Sequence, residues 1–277
     1  MPDLAALPDI HALPADVDVP PLRPGPPAPG VRVCQALPRW SGTHVHHTLC
    51  LPMQWEPGAL NPLIVEFPGN GPYEDAFGDR CTGRVEDAGL GCDLARHLGA
   101  LWTCVPFVSG DGRSNQRMWW GDAEATAAYA AEVVAFLCER FGADPDRVLL
   151  AGFSRGAIAC NYIGLRTEAV AGLWRAFLCH SHYDGVRRWG HDDDDAVSAQ
   201  RRLQRLAGRP QFISHEGSTQ PTRDFLARAD VDAPFTFLDL PYRNHSDAWV
   251  RRDILERRIL RAWATKALSI RHSEDHQ

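Results

Sequence analysis

Residues Gly152-Phe153-Ser154-Arg155-Gly156 form a G-x-S-x-G pentapeptide, a spacing that suits nucleophilic attack on a carbonyl carbon. A serine hydroxyl is a weak nucleophile until a neighbouring base takes its proton. It must also stand clear of the chain on a sharp turn, and a glycine two positions away on each side relieves the crowding of such a turn. The flanking sequence supplies the setting. Apolar Val148-Leu149-Leu150-Ala151 runs directly into the motif, and Ala157-Ile158-Ala159-Cys160-Asn161-Tyr162 leaves it in a helix-compatible pattern. Strand, turn and helix in that order are the context the motif requires.

The elements that must carry this turn follow from the hydrophobic pattern. Residues 43–51, 63–67, 101–107, 148–153, 177–180, 211–214 and 235–240 read as strands, and 123–140, 156–166, 196–207 and 247–268 as helices. Asp122 is placed to cap the helix that begins at Ala123, and Gly142 to end it. Short strands alternating with longer helical stretches predict βαβ units, a parallel sheet and the α/β class. Residues 1–30 stand apart, because Pro20, Pro21, Pro24, Pro26, Pro27 and Pro29 make an extended, proline-rich arm. Residues 31–277 read as one catalytic domain without internal repeats.

Composition narrows the partners. A chain of 277 residues with 44% hydrophobic and 23% charged side chains is an ordinary globular sequence that can bury a core without staples. The formal net charge of −6, from 29 basic and 35 acidic residues, offers no basic footprint for nucleic acid. No apolar run reaches the ~18 residues of a membrane span, and the N-terminus lacks the basic region of a signal peptide. The expectation is therefore a cytoplasmic protein without membrane or nucleic-acid partners; its oligomeric state is not specified. The eight cysteines contain no C-x-x-C pair and read mainly as buried thiols, although Cys81 and Cys92, in a loop-like stretch, could pair in an exported protein.

Phe141-Gly142-Ala143-Asp144-Pro145-Asp146-Arg147-Val148, followed by the pentapeptide, resembles the α/β-hydrolase superfamily, in its esterase and depolymerase-like branch, over about residues 60–265. The resemblance implies an α/β-hydrolase fold: a mostly parallel central sheet flanked by helices, without a large lid, the longest candidate cap being residues 183–207. It implies a serine hydrolase cleaving carboxylic esters, small or polymeric, through an acyl-enzyme and with no cofactor. In that family the chain order is nucleophile, acid, then histidine in a loop after the last strand, which selects His245 from the twelve histidines. The oxyanion donors would be the backbone N–H groups of Asn70, in the Gly69-Asn70-Gly71 turn, and Arg155.

The acid departs from the family pattern. Its usual G-x-x-D loop corresponds to Gly217-Ser218-Thr219-Gln220, and a neutral amide cannot stabilise the imidazolium that forms when histidine accepts the proton. Asp184 is the first candidate, after the presumed sixth strand, followed by Glu216 and then Asp224. The missing acid also favours a non-catalytic binding protein of this fold, while a serine peptidase or acyltransferase would share every other feature.

Trp119 and Trp120 follow a polar loop and are expected above the sheet's C-terminal edge, where ligands of open α/β folds bind. His180 or His182 is expected to line the cleft beside Asp184, with His182 the choice for a substrate contact. His44/His46 and His180/His182 each offer two zinc-type ligands, but two ligands are not a site, so no metal is expected. Residues 192–195, four consecutive aspartates, read as a solvated loop.

Overall fold

A computed structural model describes residues 4–269. Its centre is an eight-stranded sheet. In chain order the strands are β1 (Arg32–Gln35), β2 (His47–Cys50), β3 (Asn61–Phe67), β4 (Leu101–Cys104), β5 (Ala143–Phe153), β6 (Ala176–His180), β7 (Gln211–Glu216) and β8 (Phe235–Leu240). Their spatial order is β1-β2-β4-β3-β5-β6-β7-β8. β2 runs antiparallel to both neighbours, while every pairing from β4 to β8 is parallel. The helices are α1 (Cys92–Leu98), α2 (Ala123–Phe141), α3 (Arg155–Tyr162), α4 (Glu168–Ala171), α5 (Ala196–Leu203), α6 (Gln220–Arg228) and α7 (Leu255–Ala267).

Strand alternation divides the core into two layers. From β3 and β5, Leu63, Val65, Phe67, Val148 and Leu150 face the side covered by α2 and α3, with Tyr129, Val133, Leu137 and Ile158. Ile64, Leu149, Ala151 and Phe153 face the other side, with Leu94 of α1 and Leu260 and Ala264 of α7. α2 begins and ends where the sequence predicts: Asp122 accepts from Ala125 N–H at 2.9 Å, and Gly142 closes the helix at φ 69°.

Two elements differ from the sequence reading. Residues 44–46 leave the expected strand because His44 N–H donates to Arg113 C=O and His46 N–H to Asn115 Oδ1, tying them to a short hairpin, Phe107–Val108 with Asn115–Gln116. The expected helix 247–268 is divided. A 3₁₀ turn, Asp247–Arg251, capped by Ser246, turns Trp249 into the core, and extended backbone at Arg252 and Ile254 separates it from α7.

The N-terminal segment lies against the body. Ile10 and Val17 are buried with the α1/α7 layer. Ile10 N–H donates to Asn244 Oδ1 at 2.7 Å, Arg243 N–H to Pro8 C=O at 3.0 Å, and Arg257 holds both Asp16 carboxylate oxygens at 2.6 and 2.7 Å. All eight cysteines are free thiols: Cys81 lines the cavity described below, whereas Cys92 belongs to the α1/α7 layer. No helix among the described residues is long and apolar enough to cross a membrane.

Deleting the Ile10 side chain beyond Cβ removes a fully buried branch and leaves a cavity. Ile10→Ala is therefore expected to destabilise the chain by about 2 kcal/mol or more, read as a lower urea midpoint; an unchanged midpoint would show that this segment contributes no packing.

Candidate active site

β5 ends at Phe153 and α3 begins at Arg155, leaving Ser154 alone to reverse the chain, at φ 55° and ψ −117°. Positive φ is uncommon and costly for a residue with a side chain, so the neighbours must enforce it. They approach as closely as glycine allows: a Cβ on Gly152 would lie 2.0 Å from Gly156 C=O, and one on Gly156 would lie 2.1 Å from Phe67 C=O. Ser154 N–H donates to His180 C=O at 2.9 Å, anchoring the turn to β6.

His245 lies in the loop after β8. Its Nε2 is 3.0 Å from Ser154 Oγ, and its Nδ1 is 2.6 Å from Glu216 Oε1, at the end of β7. The carboxylate accepts from Nδ1–H, which leaves Nε2 to accept from the serine hydroxyl. Ser181 Oγ donates to the other Glu216 oxygen at 2.6 Å. Burial pushes the Glu216 carboxyl up, but the hydrogen bond to His245 and the nearby His245, His215 and His180 rings outweigh it and hold it well below the usual carboxylate range. The result is an ionised carboxylate fixing one histidine tautomer against a serine.

The carboxylate on His245 is thus not the one the sequence placed first. Asp184 is fully buried and gives both oxygens to Arg202, at 2.8 and 3.1 Å, so it serves to hold α5 against the loop after β6. Asp224 bonds Gln220 on the exposed face of α6. The family spacing misled because β7 extends to Glu216 itself, and Gln220 already belongs to the first turn of α6.

The loop that presents His245 is fastened from several sides. Asp79, buried in the turn of the hairpin Tyr73–Glu74 with Arg80–Cys81, accepts from His245 N–H at 2.9 Å, Asn244 Nδ2 at 3.2 Å and His11 Nε2 at 2.8 Å. His180 takes two structural bonds, Nδ1 to Ser214 Oγ and Nε2 to Ser246 C=O, both at 3.0 Å. Burial lowers its pKa to about 4, so the neutral ring donates from Nε2. Asp79 and Ser181 were missed in the sequence. Their only trace there is placement, in a loop beside β3 and at the end of β6.

Asn70 and Arg155 line the same cavity as Ser154, and so do Trp119, His182, Glu216 and His245. Its volume is about 370 Å³. The Arg155 guanidinium is buried over the Phe107 ring, 3.9 Å from its centroid, and donates to Gly69 C=O at 2.7 Å and Trp119 C=O at 2.5 Å. Asn70 Oδ1 accepts from Trp119 N–H at 2.8 Å. The loop after β3, the serine turn and Trp119 are thereby locked together. Burial lowers the His182 pKa to about 3; its neutral ring packs 5.0 Å from His245. Trp120 does not face this cavity. It is buried among Phe107, Tyr162 and His191, and Trp189 takes the neighbouring place beside Trp119.

Elsewhere, Cys34, His46 and Glu86 bring one ligand atom each within 4.8 Å of one another. His46 and Glu86 are already an ion pair at 3.0 Å, and Arg84 shares the same carboxylate. Asp194 and Asp195 of the acidic run are engaged rather than simply solvated: Asp194 accepts from Trp189 and Gly190 N–H, and Asp195 caps α5.

Gly156→Ala is expected to cost about 1–3 kcal/mol by forcing a Cβ into the Phe67 carbonyl and to slow labelling of Ser154 by a fluorophosphonate; unaltered stability and labelling would refute the packing account of the turn. Two carboxylates can be separated by paired substitutions. Glu216→Gln should lower the labelling rate by about a thousandfold or more with the fold intact. Asp184→Asn should lower stability by about 3–5 kcal/mol, since it leaves Arg202 buried without its counter-charge, while folded protein still labels at the wild-type rate. The opposite pattern would return the acid role to Asp184.

Comparisons place the architecture. No protein-family model and no curated protein matches the sequence. Solved structures match over most of the chain at low identity. An S-formylglutathione hydrolase from Agrobacterium tumefaciens aligns with a TM-score of 0.58 at 15% identity, covering 86% of this chain and 95% of its own. A ferulic acid esterase aligns at 0.56 and 11%, covering 86% and 97%. A thermostable esterase aligns at 0.53 and 13%, covering 85% of this chain and 62% of the esterase. With the mostly parallel eight-stranded sheet and its flanking helices, this likeness establishes that the chain has the α/β-hydrolase fold.

Proposed function

We propose that the protein is a serine hydrolase of carboxylic esters in which Ser154 is the nucleophile, His245 the base and Glu216 the acid. One observation carries the reading: an unbroken line of hydrogen bonds, 2.6 Å from Glu216 to His245 and 3.0 Å from His245 to Ser154, opening onto a cavity. The neutral Gln220 was the reason to consider a non-catalytic protein, and a carboxylate seated on His245 removes that reason.

In the proposed reaction Ser154 Oγ attacks the ester carbonyl carbon as its proton passes to His245 Nε2. The imidazolium is stabilised by Glu216, which stays ionised. The Asn70 and Arg155 N–H groups receive the oxyanion. Collapse breaks the carbon–oxygen bond to the alcohol, which leaves with the proton from Nε2. Water then adds its hydroxyl to the acyl carbon as its proton passes to His245 Nε2; collapse breaks the bond to Ser154 Oγ, which takes that proton back, releasing the acid and restoring serine and neutral histidine. Every step uses groups of this chain and water. The choice of esters over amides draws on the esterases among the similar folds, which share the fold alone.

The test is hydrolysis of p-nitrophenyl butyrate together with fluorophosphonate labelling. Wild-type protein is expected to do both; Ser154→Ala should abolish labelling and reduce hydrolysis by at least about a thousandfold. Hydrolysis that survives Ser154→Ala would sink the mechanism, and preferential cleavage of a peptide p-nitroanilide would favour a peptidase.

A further inference from the structure

Among the residues lining the Ser154 cavity are three guanidinium groups, Arg155, Arg187 and Arg243, and two carboxylates, Asp75 and Glu216. Four of these five are engaged. Arg155 is committed to Gly69 and Trp119 carbonyls, Arg243 to Asp9 at 2.8 Å, and Glu216 to His245 and Ser181. Asp75 accepts from Phe77 and Asp79 N–H at 2.9 and 3.0 Å and from the Tyr73 hydroxyl at 3.3 Å. Among the described residues Arg187 alone of the five has neither a hydrogen bond nor an ion pair.

Its position is nonetheless built. Arg187 Cζ lies 3.4 Å from the centroid of the Trp189 ring. Trp189 packs on Trp119 at 5.8 Å and on His182 at 4.7 Å, and His182 packs on His245. A guanidinium lying over an indole has one face covered while its N–H donors remain directed outward in the plane, a fork that matches a carboxylate. The side chain is exposed like that of Arg188, so its free N–H donors face solvent, and partial desolvation lowers its pKa. Asp75 does not supply that carboxylate: among the described residues no hydrogen bond or ion pair joins it to Arg187, and it accepts from Tyr73, Phe77 and Asp79.

We infer that the cavity selects esters that themselves carry a carboxylate, received by the outward edge of Arg187, with Trp119 and Trp189 against the apolar part between carboxylate and ester. The inference rests on the ester-hydrolase reading above. The carboxylate can lie on the acyl chain or on the alcohol, and both present the same anion to the same fork.

Two matched pairs of substrates test this: the p-nitrophenyl monoester of glutaric acid against p-nitrophenyl valerate, and 4-acetoxybenzoate against 4-acetoxybenzamide. Each enzyme is scored by its own charged-to-neutral ratio of kcat/KM, so that general effects on activity cancel. In at least one pair that ratio should fall by about 3- to 10-fold in Arg187→Met, the loss expected for a bidentate charged pair at an exposed arginine. Arg187→Lys, which keeps the charge without the fork, should lie between. Arg188→Met, altering an exposed neighbour that does not line the cavity, should leave the ratio as in wild type. The pair that responds identifies the side of the ester that bears the anion. Ratios in Arg187→Met and Arg187→Lys equal to wild type for both pairs would overturn the inference alone. Failure of wild-type protein to cleave any of the four esters would overturn the ester reading and the inference with it.

Discussion

The Glu216 carboxylate is taken almost wholly out of water, and the site is organised around meeting its needs. A buried charge without partners costs several kcal/mol. Here one oxygen faces His245 Nδ1 and the other the Ser181 hydroxyl. The bond from His245, with the His245, His215 and His180 rings nearby, offsets the burial that would otherwise protonate the group. That bond also decides the tautomer of His245, since a ring that donates from Nδ1 to a carboxylate presents a lone pair from Nε2. The orientation of His245 toward Ser154 therefore originates one strand away, at the end of β7.

That arrangement demands a His245 loop of fixed shape, and irregular backbone holds its shape only when its polar groups find partners. Asp79 and His180 provide them from opposite sides. The N-terminal segment joins the same structure: His11 shares Asp79, Ile10 N–H reaches Asn244, and Asp9 holds Arg243. Residues 9–11, at the start of the stretch that its prolines set apart in the sequence, hold the loop that carries His245. Ser154 is constrained in the same manner, with Arg155 binding both the loop after β3, through the Gly69 carbonyl, and Trp119, through its carbonyl, to the serine turn.

Much of this was legible beforehand, and for identifiable reasons. The serine turn follows from glycine spacing between an apolar strand and a helix, both local patterns. α2 was bounded by its aspartate cap and terminal glycine. The place of His245 beside Ser154 followed from chain order, and Asn70 and Arg155 line the cavity at the positions such folds use. The carboxylate that meets His245 was not legible: Asp184, Glu216 and Asp224 all follow strands in a similar way, and a difference of a few residues in where β7 ends moves the relevant side chain from Gln220 to Glu216. Trp119 and Trp120 are adjacent, yet one lines the cavity and the other fills the core. The positive φ of Trp119, 51°, and the bonds that hold its backbone to Asn70 and Arg155 separate their directions.

The sequence by itself determined the α/β alternation, the serine on a strained turn and the histidine after the last strand. Each depends on neighbours within a few residues or on the order of elements along the chain. Only the tertiary structure decided which carboxylate meets the histidine, which of the cavity-lining arginines lacks a hydrogen bond or ion pair among the described residues, and what the N-terminal segment contacts. Those depend on contacts between residues tens to hundreds of positions apart, where a change of about an ångström decides whether a hydrogen bond exists.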